Sequence, residues 1–234
     1  MLSSNNIEAQ NLAVLNQNQQ WFQYYNQIKL GNKITWLSDG GYRWSDAFEN
    51  RSQYLIRTGI GYKIKPSVPL VTGVAHLGFY GAEVLSKLEL RPYQEIDASF
   101  KLNNVSIKNR FRVEERYFYS LLPLENRCLS PVIYRLRYSA TVIFPIIEFN
   151  VGEKVKKVSL GIGNEILVNV GNNSTHFFDQ NRLMLSPSIH CNEHLEIAFT
   201  YDFMVSLAPE PFNLKALHIA WFQLKHHLDC SKGK

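Results

Sequence analysis

The sequence predicts an all-β protein, and more narrowly a single antiparallel up-and-down transmembrane β-barrel of about 10–12 strands. Apolar and polar residues alternate with a period of two in eleven segments, and the polar face of these segments repeatedly carries Arg. The chain is 13% aromatic and only 19% charged. Because successive side chains of a strand point to opposite faces, these segments have one apolar and one charged face. A closed barrel in lipid is the architecture that places the apolar face outside and the charged face inside.

The alternation is clearest in residues 105–118. One face of this segment carries Val105, Ile107, Phe111, Val113 and Tyr117. The other face carries polar and mostly cationic residues: Ser106, Lys108, Arg110, Arg112, Glu114 and Arg116. The segment therefore predicts a strand with a hydrocarbon-facing side and a ladder of cations.

The remaining segments follow the same pattern, with turn signals such as Gly31-Asn32-Lys33 and Asn103-Asn104 between them. The predicted strands are 21–30, 34–44, 53–64, 70–80, 95–102, 105–118, 134–144, 158–169, 180–190, 195–203 and 214–225. Residues 81–93 and 119–132 are predicted as longer loops, and 145–157 as an irregular connection. Since bacterial single-chain barrels have an even strand number, we expect ten or twelve strands, with a twelfth in residues 11–15 or 145–157.

The predicted domain organisation is a flexible polar leader at 1–20, the barrel at 21–228 and a C-terminal tail at 229–234. No apolar run approaches the ~20 residues of a membrane helix. The first twenty residues contain no basic segment followed by an apolar one, so they do not form a secretory signal. An exported barrel needs such a signal. We therefore expect that it has been removed or that the natural chain starts elsewhere.

Four motifs occur in an order that resembles a known family. They are Asn109-Arg110-Phe111-Arg112-Val113-Glu114-Glu115-Arg116, Tyr134-Arg135-Leu136-Arg137-Tyr138, Asn164-Glu165-Ile166 and Phe178-Asp179-Gln180-Asn181-Arg182. The chain resembles, from about Trp21 to Leu228, an uncharacterised family of small bacterial proteins assigned to a domain of unknown function. The resemblance implies a barrel in the outer membrane of a Gram-negative bacterium, and it implies no substrate or reaction.

The candidate functional residues are the charged side chains predicted to face the lumen. They are Arg43, Arg57, Lys108, Arg110, Arg112, Glu114, Arg116, Arg135, Arg137, Glu165, Arg182, Glu196 and Asp202. In one interpretation they form a packed ion-pair network, because an unpaired buried charge is very costly. In the other they line a narrow anion-selective passage, since Arg pairs well with carboxylate and phosphate.

Other functions are given less weight. An outer-membrane lipid-modifying enzyme is one alternative, because Ser188 and His190 share a face, but no nucleophile signature is present, so no catalytic residue is assigned. A soluble lipocalin-like binding barrel is the other. No cofactor, metal or nucleic-acid partner is expected. The expected partners are outer-membrane lipid and small anionic solutes, and the oligomeric state is left open. An interfacial aromatic girdle is predicted from Trp21, Trp36, Tyr42, Trp44, Tyr54 and Trp221.

Overall fold

The eleven segments with period-two alternation all form long strands, and one short strand is added between two of them. The structure, a computed structural model, describes residues 13–122, 128–151, 154–171, 173–174, 176–208 and 213–231. The strands are β1 (Val14–Lys29), β2 (Ile34–Ser45), β3 (Asn50–Lys65), β4 (Val68–Gly81), β5 (Val84–Leu102), β6 (Val105–Ser120), β7 (Cys128–Leu129), β8 (Ile133–Val151), β9 (Lys154–Val170), β10 (Phe178–His190), β11 (Leu195–Leu207) and β12 (Leu214–Asp229).

The eleven long strands close into a barrel in chain order. Each pairs with its neighbours in sequence, β5 pairs with β6, and the ring closes between β1 and β12; the two-residue β7 only adds to the end of β6. The closing pair is parallel, from Val14 opposite Leu214 to Lys29 opposite Asp229. The predicted all-antiparallel barrel is therefore wrong at this seam. An odd number of up-and-down strands leaves the first and last running in the same direction, so they can only close in parallel.

The ring of eleven strands lies within the predicted range of about 10–12, but the narrower expectation of an even number, ten or twelve, is wrong. Neither of the segments proposed for a twelfth strand forms one: β1 already begins at Val14, and 145–157 belongs mostly to an extended β8–β9 hairpin. The barrel thus begins seven residues before the predicted boundary at residue 21, and it ends at Asp229. The first twelve residues of the predicted leader lie outside the described residues.

The predicted loop at 81–93 is also wrong, because β5 begins at Val84. The connection from β4 to β5 is a two-residue turn in which Ala82 and Glu83 have φ of 47° and 66°. Turns with two positive φ values usually contain Asn or Gly. Ala82 and Glu83 are neither, so the sequence of this turn does not predict a hairpin.

The two ends of the barrel differ in the length of their connections. At one end, here called the short-turn end, the strands are joined by two to four residues: 30–33, 66–67, 103–104, 152–153 and 191–194. At the other, the long-loop end, they are joined by 46–49, 82–83, 121–132, 171–177 and 208–213. This asymmetry is typical of outer-membrane barrels.

Burial follows the predicted alternation. In β6, Phe111 is 43% exposed whereas its neighbour Arg112 is 4% exposed. The same inversion recurs around the barrel, with large apolar residues exposed on the outer face, among them Ile60, Ile96, Tyr138, Ile162, Leu183 and Phe199. Among the described residues, none belongs to a helix with the length and apolarity needed to cross a membrane.

The last strand faces the other way from the prediction. Leu217 and Ile219 were expected on the outer face, but they are 1% and 0% exposed. They pack inside with Trp21 and Met204, and Trp221 lies against this cluster. Trp21 and Trp221 are therefore not part of an outer aromatic girdle. Since β12 carries apolar residues on both faces, its period-two pattern cannot tell inside from outside.

Candidate functional site

A network of buried ion pairs fills one side of the barrel interior, where β5, β6, β8, β9, β10 and β11 direct their charged side chains inward. Its first centre is Glu114 on β6, whose side chain is fully buried. Arg135 and Arg137, from the adjacent β8, donate to it at 2.5 and 2.8 Å. Arg112 lies 3.6 Å away on the same strand, and Arg91 of β5 lies 3.9 Å away.

The second centre is Glu165 on β9, which is 1% exposed. Arg110 and Arg137 each approach its Oε1 to 2.7 Å, and Arg182 approaches its Oε2 to 3.4 Å. Arg137 therefore joins the two centres, because it donates to both Glu114 and Glu165. These residues lie on four different strands and meet here because of strand register: Arg182 is directly opposite Glu165, and Arg137 is opposite Leu167, which lies two residues along β9 from Glu165.

Further carboxylates complete the network at its edges. Glu89 accepts from Arg91 and Arg116, each at 2.7 Å. Glu95 accepts from Arg112 at 2.5 Å and lies 3.6 Å from Arg110. Arg182 also binds Asp202, and Arg135 binds Asp179 at 2.8 Å. The members are Arg91, Arg110, Arg112, Arg116, Arg135, Arg137 and Arg182, with Glu89, Glu95, Glu114, Glu165, Asp179 and Asp202.

The near balance of seven guanidinium groups against six carboxylates has an energetic consequence. Moving a charged side chain from water into the interior costs on the order of several kcal/mol, and only close pairing and hydrogen bonds offset this cost. Here every one of these guanidinium groups reaches at least one carboxylate. The interior thus contains a buried Arg/Glu ion-pair network, which is the first of the two interpretations drawn from the sequence.

Arg57 and Arg43 lie outside this network, on the opposite wall. Arg57 pairs with Asp39 of the neighbouring β2 at 2.7 Å. Arg43 has no carboxylate partner among the described residues; it donates to Gln53 at 2.7 Å and stacks on the Trp21 ring at 3.7 Å. A cation over an indole face is stabilised by the ring's quadrupole, so Trp21 takes the place of an anion.

The Tyr93 side chain fills the interior between the two walls. A Cβ on Gly73 would come within 2.6 Å of the Tyr93 hydroxyl, and one on Gly59 within 2.7 Å. The guanidinium groups of Arg112 and Arg57 lie over the Tyr93 ring at 4.6 and 5.8 Å. The glycines of β3 and β4 therefore make room for an aromatic ring that contacts Arg112 of the network and Arg57 of the opposite wall.

The charged residues at the short-turn end have fewer partners. Glu196 accepts from Lys225 at 2.8 Å, and His190 lies 3.7 Å from it. Lys108, predicted to face the lumen with the arginines, is exposed and forms no ion pair with any described residue. It differs from Arg110 and Arg112 because it is nearer the end of the strand, where water reaches it. Ser188 and His190 share no hydrogen bond in the described part of the chain.

At the long-loop end, an exposed ion pair joins a turn to a strand. Arg51 donates from its side chain and its backbone to Glu83, both at 2.6 Å. These hydrogen bonds lower the pKa of Glu83 below its ordinary value, and the one from the Arg51 side chain has the larger effect. The pair ties the turn at 82–83 to the start of β3.

Four members of the network are not among the candidate residues drawn from the sequence: Glu89, Arg91, Glu95 and Asp179. Glu89 and Arg91 lie in the segment predicted as a loop, although they continue the alternation of Tyr93 and Glu95 toward the N-terminus. Pro92 lies within this strand, although Pro is uncommon in the interior strands of a sheet. The i, i+2 spacing of Glu89, Arg91, Tyr93 and Glu95 was the signal that could have found them.

Comparison with known proteins confirms the assignment to a family of unknown function. Residues 18–203, most of the chain, match the family described as "Protein of unknown function (DUF2490)". No curated protein matches the chain. The match includes all four motifs and every member of the ion-pair network. The barrel with a buried Arg/Glu network therefore belongs to the DUF2490 family.

Proposed function

We propose that this protein is an integral β-barrel of a bacterial outer membrane, without catalytic activity, whose interior is closed by its ion-pair network. One observation carries the proposal: the polarity of the barrel is inverted, with charges buried and large apolar side chains exposed. Membrane lipid would then be its main partner. The closed interior favours a structural role over passage of anions.

The outer surface supports the membrane location. Ile162, at the middle of β9, is 49% exposed, and Phe199 of β11 and Tyr138 of β8 are similarly exposed. A soluble monomer rarely exposes an apolar patch larger than a few hundred Å². In lipid the same residues would contact hydrocarbon, and the backbone groups would all be paired because the barrel has no free edge.

Strand length supports the same conclusion. The long strands contain 12 to 19 residues, whereas a tilted strand needs about 9–11 to cross the hydrocarbon core. Each strand can therefore cross and still extend beyond the hydrocarbon. A lipocalin-like barrel is less compatible, because such a barrel keeps its apolar residues inside and a polar surface outside.

The test of the membrane location compares two substitutions of the same kind. Ile162→Arg places a charge at mid-strand on the outer face, and Ile64→Arg places one near the short-turn end, where Ile64 is 55% exposed. In a membrane the first should cost about 2–4 kcal/mol and the second about 0–1 kcal/mol. The measurement is urea unfolding in lipid vesicles. In a soluble barrel both would be surface changes of about 0.5 kcal/mol or less, and that result would refute the proposal.

The closed interior is tested separately by conductance in planar bilayers. The purified protein should give no current above background. Anion-selective current that is reduced in the Arg135→Ala/Arg137→Ala variant would instead support the passage. Lipid turnover by the purified protein that disappears in His190→Ala would contradict the absence of catalysis.

A further inference from the structure

A cavity of about 650 Å³ opens inside the barrel at the short-turn end. It lies between the β5–β6 turn, the β8–β9 hairpin and the end of β10. The cavity is here called the mouth cavity, and its polar lining includes Lys101, Ser106, Lys108, Lys157, Ser159 and His190. Strand register places these residues in neighbouring pairs: Lys101 is opposite Ser106, and Lys157 is opposite His190.

The mouth cavity has an excess of positive charge. Lys101 and Lys108 form no ion pair with any residue that the structure describes. The lining contains one carboxylate, Glu148, and this is paired with Lys157 at 2.9 Å. Three ammonium groups against one carboxylate leave a net charge of +2 before any contribution from His190. Two unpaired ammonium groups beside hydroxyl groups are the donors that a phosphate oxygen requires.

One wall of the mouth cavity is apolar. Ile143, Pro145 and Ile146 line it between the two lysines of β5 and β6 and the Lys157–His190 pair. The register of β8 shifts between Pro145 and Ile147, so Ile146 has no partner on β9 and is 60% exposed. Bulges at the rim of a barrel re-aim side chains in this way. The wall gives the mouth cavity a surface for a hydrocarbon group next to its cationic one.

We propose that the mouth cavity binds a phosphomonoester, with Lys101 and Lys108 donating to the phosphate and Ser106 and Ser159 adding hydroxyl donors. The apolar wall favours a phosphomonoester that carries an acyl chain, such as a lipid with a bare phosphate headgroup, over a free sugar or glycerol phosphate. The site lies apart from the Arg/Glu network, whose guanidinium groups are already paired. It also does not depend on the cellular location of the barrel.

The test is a calorimetric titration of the detergent-solubilised full chain with three probes. They are a short-chain phosphatidic acid, the phosphatidylcholine of the same chain length, and glycerol phosphate. Phosphatidic acid should bind saturably, and at least about tenfold more tightly than phosphatidylcholine. Its binding should weaken as salt is raised, because exposed charges are screened.

The variant Lys101→Gln/Lys108→Gln should weaken the binding of phosphatidic acid by about tenfold or more. The matched control, Lys63→Gln/Lys65→Gln, removes the same charge at the same end but outside the mouth cavity, and it should bind as the unmodified chain does. Circular dichroism checks that both variants are folded. Equal weakening in the two variants, equal binding of phosphatidylcholine, or no saturable binding would overturn the proposal. Equal affinity for glycerol phosphate would retain the phosphate site and assign it to soluble ligands.

Discussion

The cations in the middle of the barrel and those at its short-turn end differ in chemistry and in partners. The middle contains arginines, and each arginine of the network contacts one or more buried carboxylates. Arg137, for example, contacts both Glu114 and Glu165. The short-turn end contains lysines, two of which, Lys101 and Lys108, have no anionic partner among the described residues.

The difference shows that a cation-rich interior is not by itself an anion-binding interior. Arg presents several donors in one plane, so a single guanidinium can join two carboxylates and be satisfied within the protein. Lys is a compact, strongly hydrated charge that can stay in water at the mouth. In the first arrangement the cations are satisfied by carboxylates of the protein itself, and in the second Lys101 and Lys108 have no such partner among the described residues.

The largest effect that would test this comparison is expected from Glu165→Ala. The substitution removes a buried acceptor from Arg110, Arg137 and Arg182, and breaking a buried pair in this way costs about 3–5 kcal/mol. The matched change at the mouth is Glu148→Ala, whose pair with Lys157 is exposed on both sides and should be worth less than about 1 kcal/mol. Both are measured from urea unfolding in lipid vesicles. Similar losses of unfolding free energy in the two variants would show that the ion pairs in the middle of the barrel are as accessible to water as the pair at the mouth.

A smaller effect is expected from Gly73→Ala. The added methyl group would lie 2.4 Å from the Thr58 carbonyl oxygen and 2.6 Å from the Tyr93 hydroxyl. Overpacking of this kind costs about 1–3 kcal/mol. Gly31 lies in the β1–β2 turn with no atom within 4 Å of the added group, so Gly31→Ala is the control and should change the free energy of unfolding little. A Gly73→Ala variant as stable as its control would mean that Tyr93 does not fill the interior tightly.

The smallest effect on stability is expected from Lys101→Gln/Lys108→Gln. Because neither lysine has an ion-pair partner, their removal should change the free energy of unfolding by about 0.5 kcal/mol or less. Any change at low salt should be toward greater stability, since two like charges are removed. Urea unfolding at low and high salt measures it. A loss as large as that of Glu165→Ala would show that these lysines belong to the network.

Much of the fold could be predicted from local pattern. Alternation located all eleven long strands, and in β6 it assigned Phe111 to the outer face and Arg112 to the inner one. It failed where the pattern was weak. The turn at 82–83 has neither Asn nor Gly, so β5 was predicted eleven residues too short at its start. Strand β12 is apolar on both faces, so Leu217 and Ile219 were placed outside.

The sequence by itself determined that strands with one charged face recur along the chain, because side-chain direction in a strand depends only on position within the strand. It did not determine the parallel seam between β1 and β12, which depends on the parity of the whole ring. Nor did it determine which Arg contacts which carboxylate, or which lysines are left without one. Those partners come from six strands, and only the register of the closed barrel brings their side chains within reach of one another.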